Sequence, residues 1–139
     1  MLDSTDQQTL MAAIDALPCA IEFPEGWGDN GEGFLQPSPT YADQRQYPRF
    51  ACRGTQGRAA LEYQHSLPAI SRVHRIWRVY LMDLSRSGIR FLHGEPLYPR
   101  EWMRIVLSDG KRRGIEVQWC LRIQKDCYAI GTRFSEQPV

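Results

Sequence analysis

From residue 58 to residue 134 the chain reads as a succession of short β-forming stretches broken by turn residues, with no long helical period among them. That pattern constrains the fold more than any other feature. Short strands joined by tight turns pair antiparallel, and closing them into a barrel hides the sheet edges. The spacing predicts strands over 58–63, 73–82, 89–92, 102–107, 115–123 and 127–134. Ser108-Asp109-Gly110 and Gln124-Lys125-Asp126 supply hairpin turns, and Gly94-Glu95-Pro96 ends a strand. In the 115–123 stretch, alternation puts Ile115, Val117, Trp119 and Leu121 on one face. In the last strand it puts Tyr128, Ile130, Thr132 and Phe134 on one face. Trp77, Trp102 and Trp119 fall in strands and are expected in the core, with a stacking platform as the alternative.

The chain before the β series is different. Leu10, Met11, Ile14 and Leu17 recur at helical spacing, which predicts a short helix over 5–17 with Thr5 as a possible N-cap and Pro18 as its stop. Residues 18–42 mix proline, glycine and polar residues and read as irregular chain. Ile21, Phe23, Trp27, Phe34 and Leu35 are apolar enough to dock on the barrel or on a partner.

Bulk properties narrow the function. A chain of 139 residues suits one domain with some extra, and a formal net charge of +1 gives no global field for nucleic acid or an anionic membrane. Any anion site must be local. Of the 17 basic residues 15 are arginine, whose planar fork of donors suits phosphates and guanine edges. The four cysteines show no C-x-x-C and no zinc spacing, and reduced thiols are expected; Cys120 and Cys127 could face each other across a hairpin. His65, His74 and His93 are scattered without ligand spacing. The start Met1-Leu2-Asp3 lacks a basic region and an apolar run, and no stretch reaches transmembrane length, so a soluble cytoplasmic protein without membrane insertion is expected. No nucleophile sits beside a base, and no metal cluster or phosphate-cradling glycine loop is visible. An enzyme is therefore the least favoured class.

One constellation carries chemistry. Arg45 and Arg49 flank Tyr47-Pro48 just before the β series, and the proline disfavours helix there. Arginines can pair bidentately with phosphate or guanine, or stack on a purine. Taken alone the pair is weak, because Arg49 and Arg53, Arg86 and Arg90, and Arg100 and Arg104 share the spacing. Asp83-x-Ser85-x-x-Gly88 falls between two expected strands. Asp and Ser can bond a guanine edge, and Gly permits a tight turn or close approach of a ligand. The bland alternative is an ordinary turn.

Together, Arg45-x-x-x-Arg49 followed by Asp83-x-Ser85-x-x-Gly88 resembles the signature of the PilZ domain family. Tyr128-Ala129-Ile130-Gly131-Thr132-Arg133-Phe134 also looks like that family's last barrel strand. The resemblance implies an all-β fold: a small antiparallel PilZ-like β-barrel over 43–136, preceded by an N-terminal extension over 1–42. It implies a bacterial cytoplasmic receptor for cyclic di-GMP with no cofactor. In that reading Arg45 and Arg49 clamp the ligand, Asp83 and Ser85 bond a guanine edge, and Gly88 holds the turn. A ligand-ordered N-terminal segment would then alter contact with a protein partner. Gln44 stands where many members carry a further arginine, which leaves open one ligand or a stacked pair. The family's common C-terminal helix has no counterpart in Ser135 to Val139. The N-terminal segment is then a candidate for its packing role, or the uncovered surface for a partner. The rival classes are a PilZ-like protein-interaction adaptor that binds no ligand, and a small barrel for single-stranded nucleic acid.

Overall fold

The computed structural model describes residues 6–24, 50–51, 57–64, 67, 69–70, 72 and 75–136. Its strands are β1 (Phe50–Ala51), β2 (Arg58–Tyr63), β3 (Ile76–Leu84), β4 (Gly88–His93), β5 (Trp102–Val106), β6 (Arg112–Gln124) and β7 (Cys127–Phe134). All pair antiparallel in the order β1-β3-β2-β5-β6-β7-β4, and a β3–β4 pairing closes the barrel. The two-residue β1 takes the edge of β3 that β2 leaves, pairing Phe50 with Leu84 and Ala51 with Asp83.

The expected bounds of β2 and β7 coincide with the observed ones, while β3 starts later, at Ile76, and β6 earlier, at Arg112. The two expected hairpin turns form. Gly110 takes φ +90 between Leu107 and Lys111, and Asp126 takes φ +58 between Gln124 and Cys127. Both are left-handed conformations, open to glycine and tolerated by aspartate.

Alternation fills the barrel. Leu61, Val79, Leu81, Ile89, Phe91, Met103, Ile105, Ile115, Val117 and Ile130 all point inward and are buried, with Leu97 joining them from a loop. The outer face is covered too. Helix α1 (Gln7–Asp15) buries Leu10 and Ile14 against Ala60 and Val106. The helix is capped by Asp6, whose carboxylate accepts from the Gln8 amide at 3.1 Å; the expected cap, Thr5, lies outside the described residues. Residues 18–24 then run as a strap over β3, β4 and β7. Ile21 and Phe23 sit on Met82, Leu92, Cys127 and Ala129, and Phe23 meets Tyr80 edge-on at 5.2 Å. The strap is also held by its backbone: Arg78 N–H donates to Pro18 O, and Glu22 N–H donates to Asp126 O, both at 2.8 Å. So Ile21 and Phe23 pack on the barrel, as one of the two readings had it. Trp27, Phe34 and Leu35, and the boundary at 42/43, lie outside the described residues.

Two expectations fail, both in the β6–β7 hairpin. Ile115 and Val117 point inward, but Trp119 and Leu121 are 40% and 57% exposed. The cause is a β-bulge at Gln118: Val117 pairs with Thr132 and Trp119 with Gly131, so one residue is extra and the phase inverts. Cys120 packs against the core instead. Trp119 is therefore not a core residue, whereas Trp102 is buried and Trp77 partly so. The same register sets Cys120 against Ile130 and Cys127 against Gln124, so the two thiols do not face each other. Cys19, Cys120 and Cys127 are free, and burial pushes the Cys127 thiol up to about 11. Among the described residues no helix is long and apolar enough to cross a membrane.

Candidate functional site

The β3–β4 corner carries the Asp-x-Ser-x-x-Gly residues. A second bulge sets their direction. Leu81 pairs with Phe91 and Asp83 with Arg90, which leaves Met82 extra. Two successive residues then face outward, Met82 under the strap and Asp83 beside Arg90. Without the extra residue the period of two would point the Asp83 carboxylate into the apolar core.

Asp83 is only 6% exposed, and Arg90 is bonded to its carboxylate. Arg90 Nε lies 3.0 Å from each carboxylate oxygen, and Nη2 donates to Oδ2 as well. Ser85 N–H donates to Gly88 O at 2.9 Å around the exposed pair Arg86-Ser87. The Ser85 hydroxyl lies 3.2 Å from that of Ser87. Ser87 O in turn accepts from Phe134 N–H at 2.8 Å, which ties the turn to β7.

Gly88 is buried, and its lack of a side chain serves close approach. A Cβ there would lie 2.0 Å from Thr132 O. So the glycine of the motif lets β4 lie against β7 while the turn presents Ser85.

Cross-strand register extends the corner into a surface. One row across the outer face reads Asp83, Arg90, Gly131 and Trp119. The next reads Gly88, Arg133 and Glu116. Gly131 leaves a bare floor, and the Trp119 indole lies over it; a Cβ at Gly131 would fall 2.0 Å from that ring. Arg133 binds the buried Glu116 at 2.5 Å yet stays largely exposed. The patch thus combines Arg86, Arg90 and Arg133 with an exposed aromatic plane, the donor and stacking chemistry that suits an anionic planar ligand.

Sequence reading missed Arg90, Arg133 and Trp119 as members of this surface, because their neighbours are across strands. Arg45 and Arg49 lie outside the described residues, as does Arg53. The described chain resumes at Phe50, paired with Leu84 next to Ser85.

A separate polar cluster occupies the opposite end of the barrel. Arg72 grips Glu101 through Nε at 3.1 Å and Nη2 at 2.5 Å, and its guanidinium faces the Tyr63 and Tyr98 rings at 5.3 and 5.7 Å. The Tyr63 hydroxyl donates to Glu95 and lies 2.7 Å from His93 Nε2. Because the tyrosine proton goes to Glu95, His93 must donate from Nε2, which leaves Nδ1 as a buried lone pair with no hydrogen-bond partner. Burial, then the Arg72 charge, lowers the His93 pKa to about 3. Burial and the bond to Glu95 push Tyr63 far upward, so its proton stays. His93 is fully buried within this cluster; His65 and His74 lie outside the described residues.

No protein-family model matches the chain. No curated protein matches it either. Solved structures do. A structure of the K. pneumonia MrkH–c-di-GMP complex superposes with a TM-score of 0.51 at 17% identity, covering 68% of this chain and 44% of that one. The chain thus spans less than half the length of that protein. At this identity the likeness concerns the fold, and the chain is a small, closed antiparallel barrel of the kind seen in that complex.

Proposed function

We propose that the chain is a non-catalytic receptor for cyclic di-GMP. Arg45 and Arg49 clamp the ligand's phosphates and guanines over the β3–β4 corner, Asp83 and Ser85 bond a guanine edge, and Gly88 holds the corner in place. The observation that carries this reading is the seating of β1. Phe50, which follows Arg49 in the sequence, is the Cα partner of Leu84, next to Ser85. The arginine patch and the solved c-di-GMP complex with a similar barrel support the same ligand. No cofactor is invoked. Ligand binding would reorder the N-terminal segment by differential affinity and change its contact with a protein partner in the bacterial cytoplasm.

Calorimetric titration of the purified chain with cyclic di-GMP, with GTP as control, tests this. Saturable binding selective for cyclic di-GMP is expected, and its stoichiometry decides between one ligand and a stacked pair. Arg45→Ala combined with Arg49→Ala should weaken binding by about a hundredfold or more, as loss of two charge-assisted contacts implies. The circular dichroism spectrum should not change. Unaltered affinity in the double variant would remove the clamp from the proposal. One observation favours a second reading. Asp83 is already bonded to Arg90 within the protein, as in a purely structural corner. A folded chain that binds no cyclic di-GMP would favour the adaptor.

A further inference from the structure

Arg100 stands where the backbone favours glycine. The turn Tyr98-Pro99-Arg100-Glu101 is closed by the Glu101 N–H, which donates to Tyr98 O at 3.0 Å. Proline precedes Arg100, whose φ is +78, the arrangement of a type II turn with arginine in the usual place of glycine. The same residue opens a bulge against β6. Arg100 N–H donates to Val117 O at 2.8 Å, and Val117 N–H donates to Glu101 O at 2.9 Å. Two residues thus oppose one, the first of them left-handed, and glycine commonly fills that position. A bulky side chain is disfavoured at such a φ. Nor does the side chain contribute a bond to the fold: it is exposed and makes no hydrogen bond or ion pair with any described residue.

Strand register places Arg100 on the arginine patch. On the outer face, the row of Gly88, Arg133 and Glu116 continues to Trp102, the partner of Glu116 in β5. One step along each strand leads to the neighbouring row: Gly88 to Arg90, Arg133 to Gly131, and Glu116 across the bulge to Trp119. The corresponding step from Trp102 ends at Arg100, with the buried Glu101 between them bound to Arg72. Arg100 therefore lies on the far side of Trp119 from Arg90, three strand spacings or about 14 Å away.

We propose that Arg100 is a further ligand-binding residue of this site, holding a phosphate of cyclic di-GMP beyond the Trp119 plane; the proposal rests on the receptor reading above. Arg90 is bound to Asp83 and Arg133 to Glu116, which leaves Arg86 and Arg100, at opposite ends of the patch, without an acidic partner among the described residues. An uncompensated guanidinium fork suits a phosphate. Turn and bulge together fix the backbone from which it projects.

Calorimetric titration with cyclic di-GMP, beside thermal unfolding, compares the full chain with two variants. Arg100→Gly removes the side chain and fits the left-handed backbone, whereas Arg100→Ala removes the guanidinium and keeps the strained Cβ. Both should bind about tenfold more weakly, from loss of one charge-assisted contact. Stability should divide them: Arg100→Gly should melt about 2–5 °C above wild type, and Arg100→Ala close to it. If wild type binds and either variant keeps its affinity, Arg100 is not a contact, and the receptor reading stands without it. An Arg100→Gly variant that melts below wild type also overturns the proposal, because the arginine then serves the fold. If the folded wild type binds no cyclic di-GMP, both readings fall.

Discussion

Replacing Gly88 with alanine should cost the fold about 3 kcal/mol or more, at the upper end of what overpacking does. The added Cβ would lie 2.0 Å from Thr132 O and 2.9 Å from both Thr132 C and Arg133 Cα. Every one of these is backbone, so no rotamer change relieves the clash. β4 would have to move off β7, along a register that runs from Gly88 opposite Arg133 to His93 opposite Tyr128. The Thr132 hydroxyl, which donates to Ile89 O at 2.8 Å, would go with it. Gly131→Ala is the internal control. The three atoms nearest its Cβ all belong to the Trp119 ring, a side chain 40% exposed rather than backbone. Thermal unfolding followed by circular dichroism should show Gly88→Ala melting roughly 10 °C or more below wild type. Gly131→Ala should lose clearly less. Equal melting temperatures for the two variants, or the reverse order, would overturn this expectation. The outcome bears on function as well. A glycine demanded by the β4–β7 approach would be present in this barrel whether or not a ligand binds, so Gly88 says less about cyclic di-GMP than Arg45 and Arg49 do.

What the sequence disclosed follows the same physics. The strands at 58–63 and 127–134 were legible to the residue because turn residues bound them and neither carries an extra, bulged residue of its own. The inward face of β6 was legible only up to Val117. Nothing in Gln118 marks it as a bulge, since a bulge is a relation between two strands and Thr132 and Gly131 are its other half. Asp83 poses the same difficulty at the other end of the row. It is adjacent to Met82 and Leu84, and only the displaced register with β4 turns it outward onto Arg90. Local pattern thus named Asp83, Ser85 and Gly88 as candidates but could not supply Arg90, Arg133 or Trp119, which join them through cross-strand pairing. The salt bridge of Arg72 with Glu101 was equally invisible, because it links a connecting segment to a loop 29 residues away.

That buried cluster should make the protein lose stability as the pH falls below that of a free imidazole's titration. His93 is fully buried and neutral, with a pKa near 3 in the fold against 6.5 for an exposed imidazole. Below 6.5 the unfolded chain takes up a proton that the folded chain refuses, so the unfolded state is favoured as pH falls. The contribution of His93 is intact above 6.5 and is lost progressively down toward 3, at up to about 1.4 kcal/mol per pH unit. Protonation within the fold is opposed from every side that matters. Nε2 already carries its proton toward Tyr63, and the charge at Nδ1 would have no acceptor and would face the nearby Arg72 guanidinium. Among the described residues Glu95, 3.9 Å from Nε2, is the adjacent counter-charge, and it is engaged by the Tyr63 hydroxyl. Glu101 is bound to Arg72. Urea unfolding at a series of pH values should therefore show wild type losing about 2 kcal/mol between pH 7 and pH 5 through this residue alone. His93→Gln keeps an amide donor for Tyr63 but cannot titrate. It should start less stable at neutral pH, because the side chain fits less well, and then hold its stability flat across that interval. If the two proteins lose stability in parallel, the acid sensitivity lies elsewhere and His93 is not the group that titrates on unfolding.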